Sequence, residues 1–202
     1  MRRALGPFLV LALLLAPAFA EDKDLERHFL SDSTQVGDWC TLEARVAVDS
    51  GDVAGLPSRV IVTYRVTEAN TDGFEVKTET TPPHDNEWKT KHFHRGSKSL
   101  KDLLQLGPDV KVTDMQQSEE TLTVGERPFK CQKVTFVTTE RELQQRNELW
   151  LSSDLKSMRI VALSTRVLAG AKTRVRLDME VRGFGDKDRV LWGKRAEDLL
   201  RD

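Results

Sequence analysis

Charge of one sign is what this chain most plainly lacks. Lysine and arginine number 31 and aspartate and glutamate 32, dispersed along the sequence rather than gathered in blocks. Without Arg2 and Arg3 the balance becomes 29 against 32, still close to neutral. Nucleic-acid recognition rests on a clustered positive surface, so this composition provides no electrostatic argument for such a partner. Cysteine is scarce as well: Cys40 and Cys131 are the only two, and no His or Asp motif of the kind a thiol nucleophile needs accompanies either. No catalytic signature stands out, nothing calls for a cofactor, and there is no repeat, low-complexity tract or Pro-rich linker. Beyond residue 20 no apolar run is long enough to cross a bilayer, which speaks against a transmembrane anchor.

The first twenty residues are different in kind. Arg2 and Arg3 precede an apolar stretch from Phe8 to Leu15, and Ala18-Phe19-Ala20 ends it before Glu21. A charged start, a short greasy run and a small-x-small ending predict a cleaved secretory signal at residues 1–20, and therefore a secreted or periplasmic protein. No cysteine sits at that boundary to carry a lipid. Residues 21–202, about 180 in number, suffice for one domain with its own core.

Period-2 alternation dominates that domain. From Ala171 to Arg182, the side chains of Ala171, Thr173, Val175, Leu177, Met179 and Val181 alternate with charged ones, which predicts a strand with one buried and one wet face. Met158 to Leu168, joined to it by Ala169-Gly170, reads as its hairpin partner. Phe129 to Thr139 and Leu143 to Leu151 read as a second hairpin. Trp39 to Asp49 places Cys40, Leu42, Ala44, Val46 and Val48 on one face and Trp39, Thr41, Glu43 and Arg45 on the other. Val60 to Val66 and Phe74 to Thr78 follow around a turn at Asn70–Gly73, with a weaker strand at Glu87–His94. Val110 to Val124 reads as extended chain broken around Gln116–Glu119. One buried face is expected to carry Val46, Val62, Tyr64, Phe74, Val175, Leu177 and Met179.

Helices are few. Asp22 to Leu30 predicts a short amphipathic helix, and the tail from Lys194 to Leu200 a turn or two. Ser97 to Leu106 predicts a helix capped by Ser97 or Ser99 and stopped at Gly107-Pro108, with Leu100, Leu103 and Leu104 on its apolar side. The expected fold is mainly β (α+β). It is a curved antiparallel sheet or half-barrel of eight or nine strands, with the N-terminal helix and the mid-chain helix covering its concave face.

Four groups of residues are candidates for chemistry. Cys40 and Cys131 either close a disulfide over a loop of about 91 residues, contributing roughly 4 to 5 kcal/mol on the loop-entropy account, or sit as two small buried side chains on separate strands. The spacing leaves both readings open. His92 and His94 point to one side of a strand, and with His84, Asp85 or Glu87 they resemble a Zn²⁺ or Cu²⁺ ligand set, but the polar segment around them favours an exposed edge strand. Trp39, Trp88, Trp150 and Trp192 either line a ligand groove or cover the ends of the sheet. The outer row Lys172, Arg174, Arg176 and Arg182 suits an anionic surface such as lipid headgroups, but Asp178 and Glu180 interrupt it and favour ion pairs on a wet face.

Gly37-Asp38-Trp39, Val124-Gly125, Phe129-x-Cys131 and Trp150-x-Ser152, behind a signal-like start, form a pattern that resembles secreted bacterial proteins built like the periplasmic lipoprotein-carrier half-barrels, LolA-like and LppX-like. The resemblance implies a curved sheet whose apolar concavity holds acyl chains, and it carries no catalytic or binding residue onto this sequence. Three functions follow as expectations. The first is a non-catalytic secreted binding protein for a hydrophobic small molecule or lipid, with Leu100, Leu103 and Leu104 as the cavity cover. The second is a cell-envelope structural or protein-interaction module with a filled core and a protein partner. The third is a metal-dependent hydrolase using His84, His92 and His94.

Overall fold

The computed structural model describes residues 33–48, 59–81, 89–94, 104, 106–156, 158–169 and 172–201. Alternating sequence there becomes ten strands: β1 (Trp39–Val48), β2 (Arg59–Ala69), β3 (Gly73–Thr81), β4 (Lys89–His94), β5 (Lys111–Val124), β6 (Arg127–Glu140), β7 (Leu143–Leu151), β8 (Ile160–Ala169), β9 (Lys172–Gly185) and β10 (Val190–Gly193), before one short helix, α1 (Ala196–Leu199). All join one antiparallel sheet in the order β4-β3-β2-β1-β9-β8-β7-β6-β5, with β10 added to the end of β9. Two meanders, β1 to β4 and β5 to β9, thus meet at the β1–β9 seam. The outermost strands, β4 and β5, do not pair with each other, so the sheet is open.

Several expectations need correction. Among the described residues there are ten strands rather than about eight or nine, because β10 has four residues, mostly exposed, and carries no period-2 signal. β5 is not broken at Gln116–Glu119. Its irregularity lies earlier, where the register with β6 steps between Thr113 and Gln116 and Asp114 takes a φ of 56°. The tail does form helix α1. The Asp22–Leu30 helix lies outside the described residues, and of Ser97–Leu106 only Leu104, which is helical, and Leu106 are described, so the predicted helical covers are not part of the described fold.

The hairpin turns are tight. Gly125, with φ of 59°, turns β5 into β6, and Arg141, with φ of 56°, turns β6 into β7. Pro128 is tolerated inside β6 because β7 reaches only as far as Gln132, leaving the start of β6 paired on the β5 side alone. That free two-stranded ribbon also explains a change in which side chains are buried. Along β6 the side chains buried on the apolar side are Phe129 and Cys131, then Val134, Phe136 and Thr138, with half-buried Gln132 and Lys133 between, while Val137 is buried on the other face. Two-stranded ribbons twist more than wide sheets. Past the end of β7 the ribbon turns its other side inward, and Phe129 packs on Phe184 of β9 and Trp192 of β10, ring centroids 6.4 and 5.4 Å away. Arg127 lies over all three rings and pairs with Asp154 at 3.2 Å, pinning the hairpin end.

Across the seam the register sets Ala44 opposite Met179, Val46 opposite Leu177 and Val48 opposite Val175, while Leu42 faces Val62 on β2. Val62, Phe74, Leu177 and Met179 are buried, Val46 and Tyr64 are half-buried against the same core, and Val175 is half-buried. The expected apolar face is therefore correct in its register. What the alternation did not anticipate is burial of the opposite side of β1, where Trp39, Thr41 and Glu43 are also buried. The C-terminal segment covers that side. Trp39 Nε1 donates to the Asp186 carbonyl at 3.0 Å, Arg195 stacks on the Trp39 ring, and a Cβ on Gly183 would lie 2.1 Å from the Lys194 carbonyl oxygen.

Candidate functional site

The two faces of the sheet present two different surfaces. On the apolar face a polar ladder interrupts β6, β7 and β8. Thr138, Gln145, Asn147 and Thr165 are all buried there, set side by side because Phe136 and Thr138 face Asn147 and Gln145, and Thr165 faces Asn147. Asn147 donates to Thr138 Oγ1 at 3.3 Å and accepts from Thr165 Oγ1 at 2.9 Å. Gln145, 4% exposed, has a side-chain oxygen with no hydrogen-bond partner. A buried acceptor left without a donor costs about 1 to 3 kcal/mol, so this position is poised to accept a bond from something donated to it. Around the ladder the face is closed: Val134, Leu149, Leu151, Val161 and Val181 are at most 1% exposed. Leu104 packs against this core, as do Leu155 and Met158 from the β7–β8 connection.

The opposite face of β7, β8, β9 and β1 holds a cleft of about 330 Å³ lined by alternating charges. On its β1 side is Glu43, 5% exposed, which accepts from Arg45 at 2.9 Å and Arg182 at 2.8 Å and pairs with Arg59 at 3.2 Å. Burial alone would raise the Glu43 carboxyl. Hydrogen bonds and charge from Arg45 and Arg182 outweigh it and hold the carboxyl below its ordinary range. Arg182 also reaches Glu180 at 3.1 Å, Arg176 pairs with Asp178 at 2.6 Å, and Ser164 donates to Asp178 at 2.8 Å. At the far wall Lys133 bridges to Glu148 at 2.9 Å and lies over the Trp150 ring, whose indole N–H donates to Glu120. The carboxylates of Glu43, Glu120, Glu148, Asp178 and Glu180 are thus each engaged with a neighbouring donor.

The residues singled out in the sequence are scattered over this framework. Cys40 on β1 and Cys131 on β6 are both buried free thiols, so of the two readings the structure has unbridged cysteines, on strands that β9, β8 and β7 separate. Burial pushes the Cys40 thiol up to about 12 and the Cys131 thiol up to about 11, which leaves neither nucleophilic at neutral pH. His92 and His94 lie on β4, an edge strand, with His92 exposed, and His84 lies outside the described residues. Among the described residues no group of three or more His, Cys, Asp and Glu is placed to hold a metal ion. Leu100 and Leu103 lie outside the described residues, whereas Leu104 is half-buried against the core. Trp88 is likewise outside them; Trp39 and Trp192 cover the ends of β1 and β9, and Trp150 stands on the cleft wall. No helix among the described residues is long and apolar enough to cross a membrane.

The sequence pattern around Gly37 has a structural use. Gly37, with φ of 93°, donates to the Val66 carbonyl at 2.9 Å, Val66 donates back to Asp38 at 2.9 Å, and the Asp38 carboxylate accepts from Gln35 at 2.8 Å. The corner locks the entry to β1. Sequence reasoning missed Glu43, Gln145 and the arginines of β7 and β8. Their strand alternation placed each on a face, but which charges and amides stand side by side depends on register between strands. Comparison of the chain with protein-family models, with curated proteins and with solved structures finds no match.

Proposed function

We propose that the protein is a non-catalytic binding protein, secreted or periplasmic in keeping with its signal-like first twenty residues, that holds a hydrophobic or lipid-like ligand against the apolar face of its sheet. The observation that carries this reading is the Gln145 side-chain oxygen, buried without a donor in the polar ladder that it shares with Thr138, Asn147 and Thr165 on the apolar face. Binding sites for apolar molecules combine a greasy lining with a few placed polar groups, and a ligand bearing a hydroxyl or amide N–H would satisfy this one. The expected cover is the segment Ser97–Leu106, of whose candidate leucines only Leu104 lies within the described residues, where it packs on the core. Displacing Leu100, Leu103 and Leu104 would admit the ligand. A non-catalytic role is in keeping with a cleft whose carboxylates are ion-paired and with thiols raised far above neutrality. The resemblance to lipoprotein-carrier half-barrels points the same way.

The tight closure around Leu149, Val161 and Val181 favours a second reading, an envelope interaction module with a permanently filled core and a protein partner. Native mass spectrometry of protein purified under mild conditions separates the two. Co-purified apolar molecules, lost in Gln145→Leu, are expected for the binding protein. A chain that is always empty and takes up no fluorescent apolar probe would leave only the second reading.

A further inference from the structure

The register of β7, β8 and β9 sets Arg146 directly opposite Arg166, and Arg166 directly opposite Arg176. Side chains so placed have Cβ atoms about 4.5 to 5.5 Å apart, and like charges in that position repel. The neighbouring row on the same face holds Glu148, Ser164, Asp178 and Arg45, which ought to neutralise them. It does so only in part. Glu148 is taken by Lys133 at 2.9 Å, and Asp178 by Arg176 at 2.6 Å and by the Ser164 hydroxyl. Glu180 and Glu43 are held by Arg182. Arg146 and Arg166 are left at directly opposed register positions with no ion-pair partner among the described residues. Arg166 is half-buried and lines the cleft together with Trp150 and Leu122, while Arg146 is exposed beside it.

We infer that Arg146, Arg166 and Arg176 form a phosphate site at the end of the charged cleft. A planar guanidinium donates two parallel hydrogen bonds to an oxyanion, and a tetrahedral phosphate offers enough oxygens and charge to bridge two or three such groups. Bridging removes the repulsion that the register builds in. The site lies on the opposite face of the sheet from Gln145 and does not rest on the apolar-ligand reading.

Thermal unfolding of the full chain in inorganic phosphate, against chloride at equal ionic strength so that screening is the same, tests the site directly. Phosphate is expected to raise the melting temperature of the wild type, with no effect on the double variant Arg146→Gln/Arg166→Gln. Without phosphate that variant should melt no lower than the wild type, because its loss relieves repulsion. Co-sedimentation with phosphatidylglycerol vesicles, against phosphatidylcholine, distinguishes the source. Vesicle binding that the double variant loses identifies a lipid headgroup, and a phosphate response alone identifies a soluble phosphate ester. Should the double variant fold poorly, Arg166→Lys keeps the charge but loses the fork, and its apparent phosphate affinity should fall about tenfold. A wild type indifferent to both probes, or a response that survives these substitutions, overturns the proposal.

Discussion

Replacing Glu43 by glutamine tests the electrostatic account of the cleft most directly. The side chain keeps its size and loses its charge, so Arg182, Arg45 and Arg59 are left facing a neutral amide. Their shares differ because their exposure differs. Arg182 is 22% exposed, so its bond is a shielded charge-assisted one of about 1.5 to 3 kcal/mol. Arg45 and Arg59 are 67% and 44% exposed, and water screens each to about 0 to 1 kcal/mol. The expected loss is therefore about 1.5 to 5 kcal/mol at neutral pH, or about 3 to 20 °C in melting temperature for a domain of this size. The pH dependence supplies the sign. Because the folded-state carboxyl lies below its ordinary value near 4.5, its stabilisation is fully present above that pH and is lost as pH falls through the lower folded value. Calorimetric melts at pH 7 and below pH 4 should show the gap between wild type and Glu43→Gln closing in acid. A difference under about 1 kcal/mol at pH 7, or one that does not narrow in acid, would refute the reasoning.

Gln145→Leu should raise the stability of the ligand-free protein by about 1 to 3 kcal/mol in urea unfolding, since an unpaired buried oxygen is replaced by carbon; a loss instead would mean the amide is satisfied. Both cysteines should resist a thiol reagent at neutral pH in the native protein and both should react once it is denatured without reductant, whereas no reaction after denaturation would reveal a bridge between Cys40 and Cys131. Gly183→Ala should force the Lys194 backbone away and weaken its 2.9 Å hydrogen bond to the Arg182 carbonyl, costing about 1 to 3 kcal/mol. Hydrogen exchange confined to faster rates across residues 190–201 is the expected sign, and unchanged protection there would count against the close packing.

Strand identity and facing were written into the sequence. Val175, Leu177, Met179 and Val181 alternate with charge because a pleated strand turns successive side chains to opposite faces, and a one-residue slip would expose the whole set. The same rule placed Leu42, Ala44 and Val46 inward and made the hairpins legible from their turns. It did not reach β10, whose four residues are a strand only because the end of β9 continues past β8 and offers an unpaired edge. Nor could it reveal that the outer side of Trp39, Thr41 and Glu43 is buried, since the covering segment arrives from residues 186–195. The site residues belong to that second kind. Arg146 and Arg176 are exposed and Arg166 is half-buried; Arg176 stood out beforehand only as one of the outer row of β9, and the cross-strand row of three forms only when the β7–β8 and β8–β9 registers align it. Periodicity is a property of one strand, whereas adjacency across strands is set by hydrogen-bond register, bulges and the β1–β9 seam, which exist only once the sheet has assembled.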